Sequence, residues 1–160
     1  MQFGLDIANL GVTADPRRVV ELARAAEGAG WEGLFVWADW AYVGGIPAGE
    51  PWVILAAVAQ ATTTLRLGTA ITPLARRRPH VVANAVATLD LLSNGRMIFG
   101  AGLGGVPEEF AAFGETVDAK VRAAMLVEGL YVVARLLAGE RVNHQGKYYR
   151  VNDVKLEPRG

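Results

Sequence analysis

Short and almost uninterrupted apolar runs recur along the first two thirds of the chain. They cover residues 3–7, 33–37, 65–71 and 97–101. Their lack of polar alternation is typical of strands in a parallel sheet that is covered on both faces. The midpoints recur about every thirty residues, which is the length of one strand–helix unit. The pattern therefore predicts four successive βα units joined by right-handed crossovers.

Helical patterns fill the intervals between these runs, and each helix begins near a proline. Asp15 and Pro16 provide a capping carboxylate and a first-turn proline for the first helix. Pro51 and Pro79 begin the next two helices in the same way. The third is expected to end at Asn94-Gly95, a pair suited to the left-handed conformation that closes many helices.

The last third of the chain has a different pattern. A short helix is predicted from Pro107 and a longer one over residues 118–137. Residues 141–156 are rich in β-formers on both sides of Gln145-Gly146, which predicts a hairpin. No linker or low-complexity segment divides the chain, so we expect residues 1–160 to form a single domain.

Two α/β architectures accommodate this order of elements. Four βα units are half of an eight-unit TIM barrel, which needs about 250 residues. A four-stranded doubly wound parallel sheet has the same string of elements. The periodicity leaves both open.

Composition narrows the classes of function. The 160 residues are 52% hydrophobic, enough for a real core, and 16 acidic residues balance 16 basic ones. Zero net charge disfavours nucleic acid or an anionic membrane surface as a partner. The absence of cysteine excludes disulfides and thiolate sites, and the two distant histidines predict no metal site. Without an apolar run of bilayer length or a signal-like start, we expect a cytoplasmic protein.

The segment LDLLSNGRMIFGAGLGG, residues 89–105, places a glycine-rich loop directly after the fourth strand. Gly100, Gly102 and Gly105 spell G-x-G-x-x-G, but a dinucleotide site needs this motif after the first strand, with an acid about 20 residues later. A dinucleotide site is therefore disfavoured. Two interpretations stay open: glycines that only permit a tight turn, or a backbone that approaches a flat or phosphorylated ligand closely.

Several ordered blocks resemble the luciferase-like flavin-dependent oxidoreductases, which include bacterial luciferase and the deazaflavin-dependent reductases. The blocks are AEGAGWEGLFVWADW, LRLGTAITPLARRRP, VVANAVATLDLLSNGRMIFGAGLGG, PEEFAAFGE and GKYYRVNDVKLEP. The resemblance covers nearly the whole chain. It implies a TIM barrel with the cofactor at the carboxyl ends of the strands, and a chain that stops after the first half of that barrel plus an insertion.

The resemblance also implies which residues would contact the cofactor, reduced FMN or coenzyme F420. Relatives often have a non-proline cis peptide at the position matching Ala70-Ile71, and an all-trans strand end is the alternative. The cofactor-binding residues implied in this way are Thr69, Ala70, Ile71, Leu103, Gly104 and Gly105.

Asp39 and Trp40 are the catalytic candidates, since deazaflavin-dependent relatives commonly carry Asp-His at this place. Trp40 cannot take over the acid–base chemistry of a histidine, but it could stack on a flat ring, line the substrate pocket, or belong to the core. Asp39 could form a hydrogen bond to the cofactor ring or to substrate, or it could only cap the following turn. Gly105 stands where sugar-phosphate-oxidising relatives carry a proton-donating glutamate, which disfavours that activity.

Other polar residues have weaker interpretations. Asp6 and Asn9 follow the first strand and could touch substrate. The basic run at residues 76–78 could contact phosphate, but a solvated loop is favoured. Glu108 and Glu109 are expected in the first turn of a helix, where they complement its dipole.

The first hypothesis for function is thus an oxidoreductase or monooxygenase that acts on a small organic substrate. The alternatives are a non-catalytic flavin-binding remnant, a half-barrel interaction protein, or a fragment of a longer enzyme. Unpaired strand edges lead us to expect a homo-oligomer, such as a dimer, or a complementary barrel half as partner.

Overall fold

The computed structural model describes residues 3–38 and 45–157. The strands are β1 (Gly4–Ile7), β2 (Gly33–Val36), β3 (Arg66–Thr69), β4 (Thr72–Pro73), β5 (Met97–Ile98), β6 (Ala101–Gly102), β7 (Val142–Gln145) and β8 (Arg150–Val154). The helices are α1 (Pro16–Gly28), α2 (Pro51–Ala61), α3 (Pro79–Ser93), α4 (Pro107–Ala112) and α5 (Ala119–Leu137). No helix in these ranges is long and apolar enough to cross a membrane.

The order of the strands distinguishes the two predicted architectures. β1, β2, β3 and β5 lie side by side in chain order, and every pair is parallel. α1 packs against α2, α2 against α3, and α3 against α5, so the helices form one row along one face of the sheet. A doubly wound sheet reverses its strand order and carries helices on both faces. The fold is therefore a half barrel, and the doubly wound alternative is wrong.

Alternation along the strands separates the two faces of the sheet. Leu34 and Leu67 point toward the helices and pack in a core with residues of α1 and α2. Phe35 and Ile98 lie on the opposite face, which is partly exposed. In a complete barrel this opposite face is the interior.

The helix ends follow the local signals in the sequence. Asp15, Glu50 and Asp118 cap α1, α2 and α5, because each carboxylate accepts hydrogen bonds from first-turn N–H groups. Asn94 ends α3 in the left-handed conformation, with φ of 56°. The predicted helices and the predicted hairpin are thus confirmed, apart from one or two residues at their ends.

The hairpin of β7 and β8 is attached to α5 through one half-buried carboxylate. Glu128 accepts hydrogen bonds from the N–H groups of Tyr148 (3.1 Å) and Tyr149 (2.7 Å) and lies 3.1 Å from His144 Nε2. Burial raises the pKa of Glu128, but these donors outweigh it and hold that pKa below its usual value. A second core cluster, in which Leu74, Val132 and Val142 are fully buried, continues from α3 through α5 to the hairpin.

Glu27 fixes the loop that enters β3, and this makes stability depend on pH. Burial raises its pKa, but the N–H groups of Thr64, Leu65 and Thr63 outweigh that effect and lower the pKa from 4.5 to about 2. Because the folded-state pKa is depressed, the stabilisation is complete above about pH 4.5 and is lost as the pH falls toward 2. We expect this contribution to be about 2 kcal/mol.

To test this pH dependence, the stability of the wild type is compared with that of the Glu27→Gln variant. Urea unfolding between about pH 2.5 and 7 is expected to show a difference in the free energy of unfolding that narrows steadily with acidification. A difference that is constant with pH would contradict this role of Glu27.

Candidate functional site

The carboxyl ends of the parallel strands meet at one edge of the sheet, and two of the strands are interrupted there. The Ala70–Ile71 peptide is cis, as predicted, and it separates β3 from β4. Residues 99–100, which contain no cis peptide, separate β5 from β6. The strands predicted over 65–71 and 97–101 are therefore each split in two, and β4 pairs with β6 in a short parallel ladder of its own.

Buried threonine hydroxyls stabilise this interruption. Thr69 Oγ1 donates to the Gly100 carbonyl at 2.9 Å, and Thr72 Oγ1 donates to Thr69 Oγ1 at 2.9 Å. The Thr72 N–H also donates to the Gly100 carbonyl, at 2.8 Å. Thr69 is only 2% exposed, so its side chain supports the neighbouring strand, whereas Ala70 and Ile71 are the more accessible residues of this segment.

The glycines of the G-x-G-x-x-G pattern have different roles. A Cβ atom on Gly100 would lie 2.1 Å from the Thr69 carbonyl oxygen, and one on Gly102 would lie 2.8 Å from Ile71 Cδ1. Both therefore permit close contact between neighbouring strands. A Cβ on Gly105 would meet no atom within 4 Å. Between them, Gly104 has φ of 80°, which favours glycine.

These residues form an apolar surface that we call the Ile71 shelf, made of residues 70–71 and 102–105. Ile71 is 37% exposed and lies against Gly102. Leu103 and Gly104 are half-buried, and Gly105 is exposed. All but one of the predicted cofactor-binding residues thus lie on this shelf, and Thr69 lies beneath it.

A buried ion pair lies behind the shelf, and no pattern in the sequence predicts it. Arg76 Nη1 is 3.0 Å from Glu109 Oε2, with side chains only 3% and 4% exposed, and Arg76 Nε is 3.3 Å from Glu115 Oε2. The expectation of a solvated loop is wrong for Arg76, because its guanidinium is enclosed between this loop and α4. Glu108 and Glu109 do lie in the first turn of α4, as predicted.

Phe110 connects this ion pair to a second buried guanidinium. The Arg76 and Arg122 guanidinium carbons lie 4.0 and 4.2 Å from the centroid of its ring, so both make cation–π contacts with it. The same ring is 2.8 Å from a Cβ atom built on Gly104. The shelf, Phe110 and Arg122 therefore form one continuous wall.

Arg122 is a buried cation with unused hydrogen-bond donors. It is 5% exposed, and its Nε and Nη1 atoms have no hydrogen-bond partner within the described residues. A buried guanidinium with open donors is destabilising until an anion or another acceptor reaches it. The sequence does not reveal this feature, because no local motif distinguishes Arg122 from any other helical arginine.

The other site residues predicted from the sequence do not lie on the Ile71 shelf or fall outside the described residues. Asp39 and Trp40 lie outside the described residues, and their catalytic roles stay predictions. Trp37, which follows β2 directly, is 41% exposed. Asp6 is exposed on the inner face of β1. Asn9 is fully buried, and its amide donates to the Gly49 carbonyl at 2.7 Å, so it holds a loop rather than facing a ligand.

The chain matches the family model described as luciferase-like monooxygenase over residues 3–160, and it belongs to this family. Among its curated relatives is the F420-dependent glucose-6-phosphate dehydrogenase of Amycolatopsis mediterranei (strain U-32). The two are 38% identical over 151 residues, which are 90% of this chain and 44% of the relative.

Solved structures give the same assignment. The monooxygenase RslO1 from Streptomyces bottropensis superposes with a TM-score of 0.87 at 28% identity, over 99% of this chain and 50% of that one. An F420-dependent secondary alcohol dehydrogenase, solved with an F420–acetone adduct, superposes with a TM-score of 0.86 at 28% identity, over 98% and 48% of the two chains. The chain thus spans about half the length of the relatives that it matches.

Proposed function

We propose that this chain supplies the amino-terminal half of a site for coenzyme F420 in an oxidoreductase, with FMN in a monooxygenase as the second candidate. The observation that carries the proposal is the Ile71 shelf with the open donors of Arg122 behind it. F420 is placed first because the 38%-identical relative is F420-dependent.

The residues present fit either cofactor. Both have a flat tricyclic ring, which matches the apolar surface of Ile71 and the side-chain-free backbone at Gly104 and Gly105. Both also carry a phosphate on a flexible tail. The buried guanidinium of Arg122 offers that phosphate the charge-assisted hydrogen bonds that no described residue accepts.

When bound, the cofactor would supply hydride transfer or the activation of oxygen. The shelf would orient the ring and exclude water from one of its faces. Trp40 would stack against the ring or line the substrate pocket, and Asp39 would accept a hydrogen bond from substrate or cofactor. Since Gly105 stands where a glutamate would be needed, we propose a small organic substrate other than a sugar phosphate.

The inner face of the sheet needs further strands. Phe35 and Ile98 are only partly covered there, and β1 and β5 lie at its two edges. We propose that a complementary half barrel, from the same polypeptide or from a partner, covers this face and completes the substrate pocket.

Replacing Ile71 by alanine tests the shelf. Because it removes much of the apolar contact with the ring, we expect Ile71→Ala to weaken cofactor binding about tenfold, equivalent to roughly 1.4 kcal/mol. Fluorescence titration of the full-length protein with F420 and with FMN measures this. Leu91→Ala is the matched control, since Leu91 is 48% exposed on the outer side of α3.

The titration also separates the alternatives. The proposal is supported if the wild type binds either cofactor tightly and the Leu91→Ala variant binds it with the same affinity. A folded protein that binds neither, or an Ile71→Ala variant that binds as tightly as the wild type, would contradict it. Binding without turnover of any reductant would favour the non-catalytic remnant.

A further inference from the structure

The inner face of the half barrel carries a carboxylate close to the carboxyl ends of its strands. Leu5 and Ile7 pack against the core under the helices, so Asp6 between them points to the inner face, where it is exposed. Asp6 lies one residue before the end of β1. The described residues give its side chain neither a salt bridge nor a hydrogen bond. Asp6 therefore contributes an uncompensated negative charge near the edge of the sheet that holds the Ile71 shelf.

Two aromatic side chains lie beside Asp6 on the neighbouring strand. Leu34 and Val36 are fully buried in the core, so alternation directs Phe35 and Trp37 to the inner face. Phe35 is the direct partner of Asp6 in the parallel register, and Trp37 follows two residues later. Diagonal neighbours on one face of a sheet are close enough for an aromatic side chain to reach. Asp6 and Trp37 thus border the same patch of the inner face.

Trp37 also lies next to the Ile71 shelf. Its N–H donates to the Ile7 carbonyl at 2.9 Å, and the Ala70 N–H donates to the Val36 carbonyl at 3.0 Å. These two bonds continue the parallel ladders by one residue and place Trp37 between Ala8 and Ala70. Each alanine has only a methyl group, which leaves the indole accessible, and Trp37 is 41% exposed. Because Ala70 belongs to the shelf, a molecule on Trp37 would lie beside the proposed cofactor ring.

The Phe35 ring leans away from this patch. A Cβ atom on Gly4 would lie 3.2 Å from Phe35 Cε2, and one on Gly33 would lie 3.0 Å from it. Both glycines lie two residues nearer to the amino ends of the strands than Asp6 and Phe35 do. The phenyl ring therefore covers the amino-terminal part of the inner face, and the space between Asp6 and Trp37 stays open.

The basic residue of these strands lies at the opposite end of the sheet. Within the described strands β1, β2, β3 and β5 it is Arg66, which begins β3 in register with Gly33. In the sequence, a second carboxylate, that of Asp39, follows Trp37 by two positions. The carboxyl edge of the inner face thus combines a negative charge with aromatic surface, and the positive charge is kept at the amino edge.

We propose that the substrate of this site carries an organic ammonium group, which is held by the carboxylate of Asp6 beside Phe35 and Trp37. A carboxylate accepts charge-assisted hydrogen bonds from an ammonium group, and aromatic rings attract a cation within about 6 Å. A carboxylate enclosed in a barrel without such a partner would be destabilising. The inference rests on the proposed function, because it names the class of substrate for the same site.

Three probes that share a phenyl ring test the requirement for a cation: benzylamine, benzyl alcohol and benzoate. The full-length protein is titrated with each, in the presence and absence of F420, and the indole N–H signals are followed by two-dimensional NMR. We expect benzylamine to bind about tenfold more tightly than benzyl alcohol, and benzoate to bind most weakly. The Trp37 signal should move. The signal of Trp31, which is 38% exposed and contacts Phe3 before β2, should stay in place.

The Asp6→Asn variant identifies the group that holds the cation. We expect its affinity for benzylamine to fall about tenfold, to that for benzyl alcohol, while the affinity for benzyl alcohol is unchanged. Glu21→Gln is the matched control, since Glu21 is an exposed carboxylate on α1, and it should behave like the wild type. If Asp6 instead pairs with a basic residue of the remaining strands, Asp6→Asn would lower stability to urea and retain the preference for benzylamine. That result would overturn the inference, as would a wild type without the preference.

The cofactor titration keeps this inference apart from the proposed function. A protein that binds F420 or FMN but shows no preference for benzylamine would retain the proposed function and contradict the ammonium site. A protein that shows the Asp6-dependent preference but binds neither cofactor would retain the ammonium site and contradict the proposed function.

Discussion

Gly100→Ala is expected to lower the free energy of unfolding by at least about 3 kcal/mol, or to prevent folding. Its new Cβ would lie 2.1 Å from the Thr69 carbonyl oxygen, and this is backbone that cannot move without breaking the contact between neighbouring strands. Urea denaturation followed by circular dichroism measures the change.

Two other glycines of the same loop provide matched controls. Gly105→Ala is expected to change stability by less than about 0.5 kcal/mol, because its Cβ would meet no atom within 4 Å. Gly102→Ala should be intermediate, since its Cβ would meet the flexible end of Ile71. Equal effects at Gly100 and Gly105 would show that these glycines serve only as turn formers, and would contradict a role for Gly100 in strand contact.

Glu109→Gln is expected to destabilise the protein by about 3 kcal/mol. Removing one partner from a buried ion pair leaves the other charge uncompensated. Such a change typically lowers the free energy of unfolding by about 3–5 kcal/mol. We expect a loss at the lower end of this range, because Glu115 remains 3.3 Å from Arg76 and still offsets part of its charge. Thermal and chemical unfolding of the variant beside the wild type would measure the loss.

The double variant Arg76→Met/Glu109→Leu separates the charge from the packing. Apolar replacements of similar volume often match or exceed the stability of a buried pair, so we expect most of the loss to be recovered. Glu115 loses its partner Arg76 in this background, but its side chain is 32% exposed and can turn toward solvent. A double variant as unstable as Glu109→Gln alone would show that the pair supplies more than charge compensation.

Elements with local signals could be predicted from the sequence. A proline at the start and Asn94 at the end define α3, and uninterrupted apolar runs define the strands. The strand order could not be predicted, because the same periodicity serves a barrel and a doubly wound sheet. The cis peptide at Ala70–Ile71 was expected only through the resemblance to a family, and the structure has it at that position.

The buried polar contacts could not be predicted, because their partners are distant in the chain. Arg76 reaches Glu109 across 33 positions, and Glu27 reaches residues 36 to 38 positions further along. No spacing rule distinguishes such pairs from solvated charges. The basic run therefore resembles a solvated loop in the sequence, although only Arg78 of the three arginines is exposed.

The glycines of the G-x-G-x-x-G pattern have different structural roles in this fold. Gly100 and Gly102 admit neighbouring strand atoms, Gly104 takes a positive φ, and Gly105 leaves open space. A nucleotide fingerprint assigns such glycines to a pyrophosphate. In this half barrel, two of them bring the strands together and the others shape the shelf.

The most direct test of the cofactor site is methyl NMR of the full-length protein with isoleucine δ1 labelling, titrated with F420 and then with FMN. We expect the Ile71 signal to move strongly under the ring current of the bound cofactor, while the signal of Ile54, fully buried on α2, stays in place. A cofactor that binds and leaves the Ile71 signal unmoved would contradict a cofactor site on the Ile71 shelf.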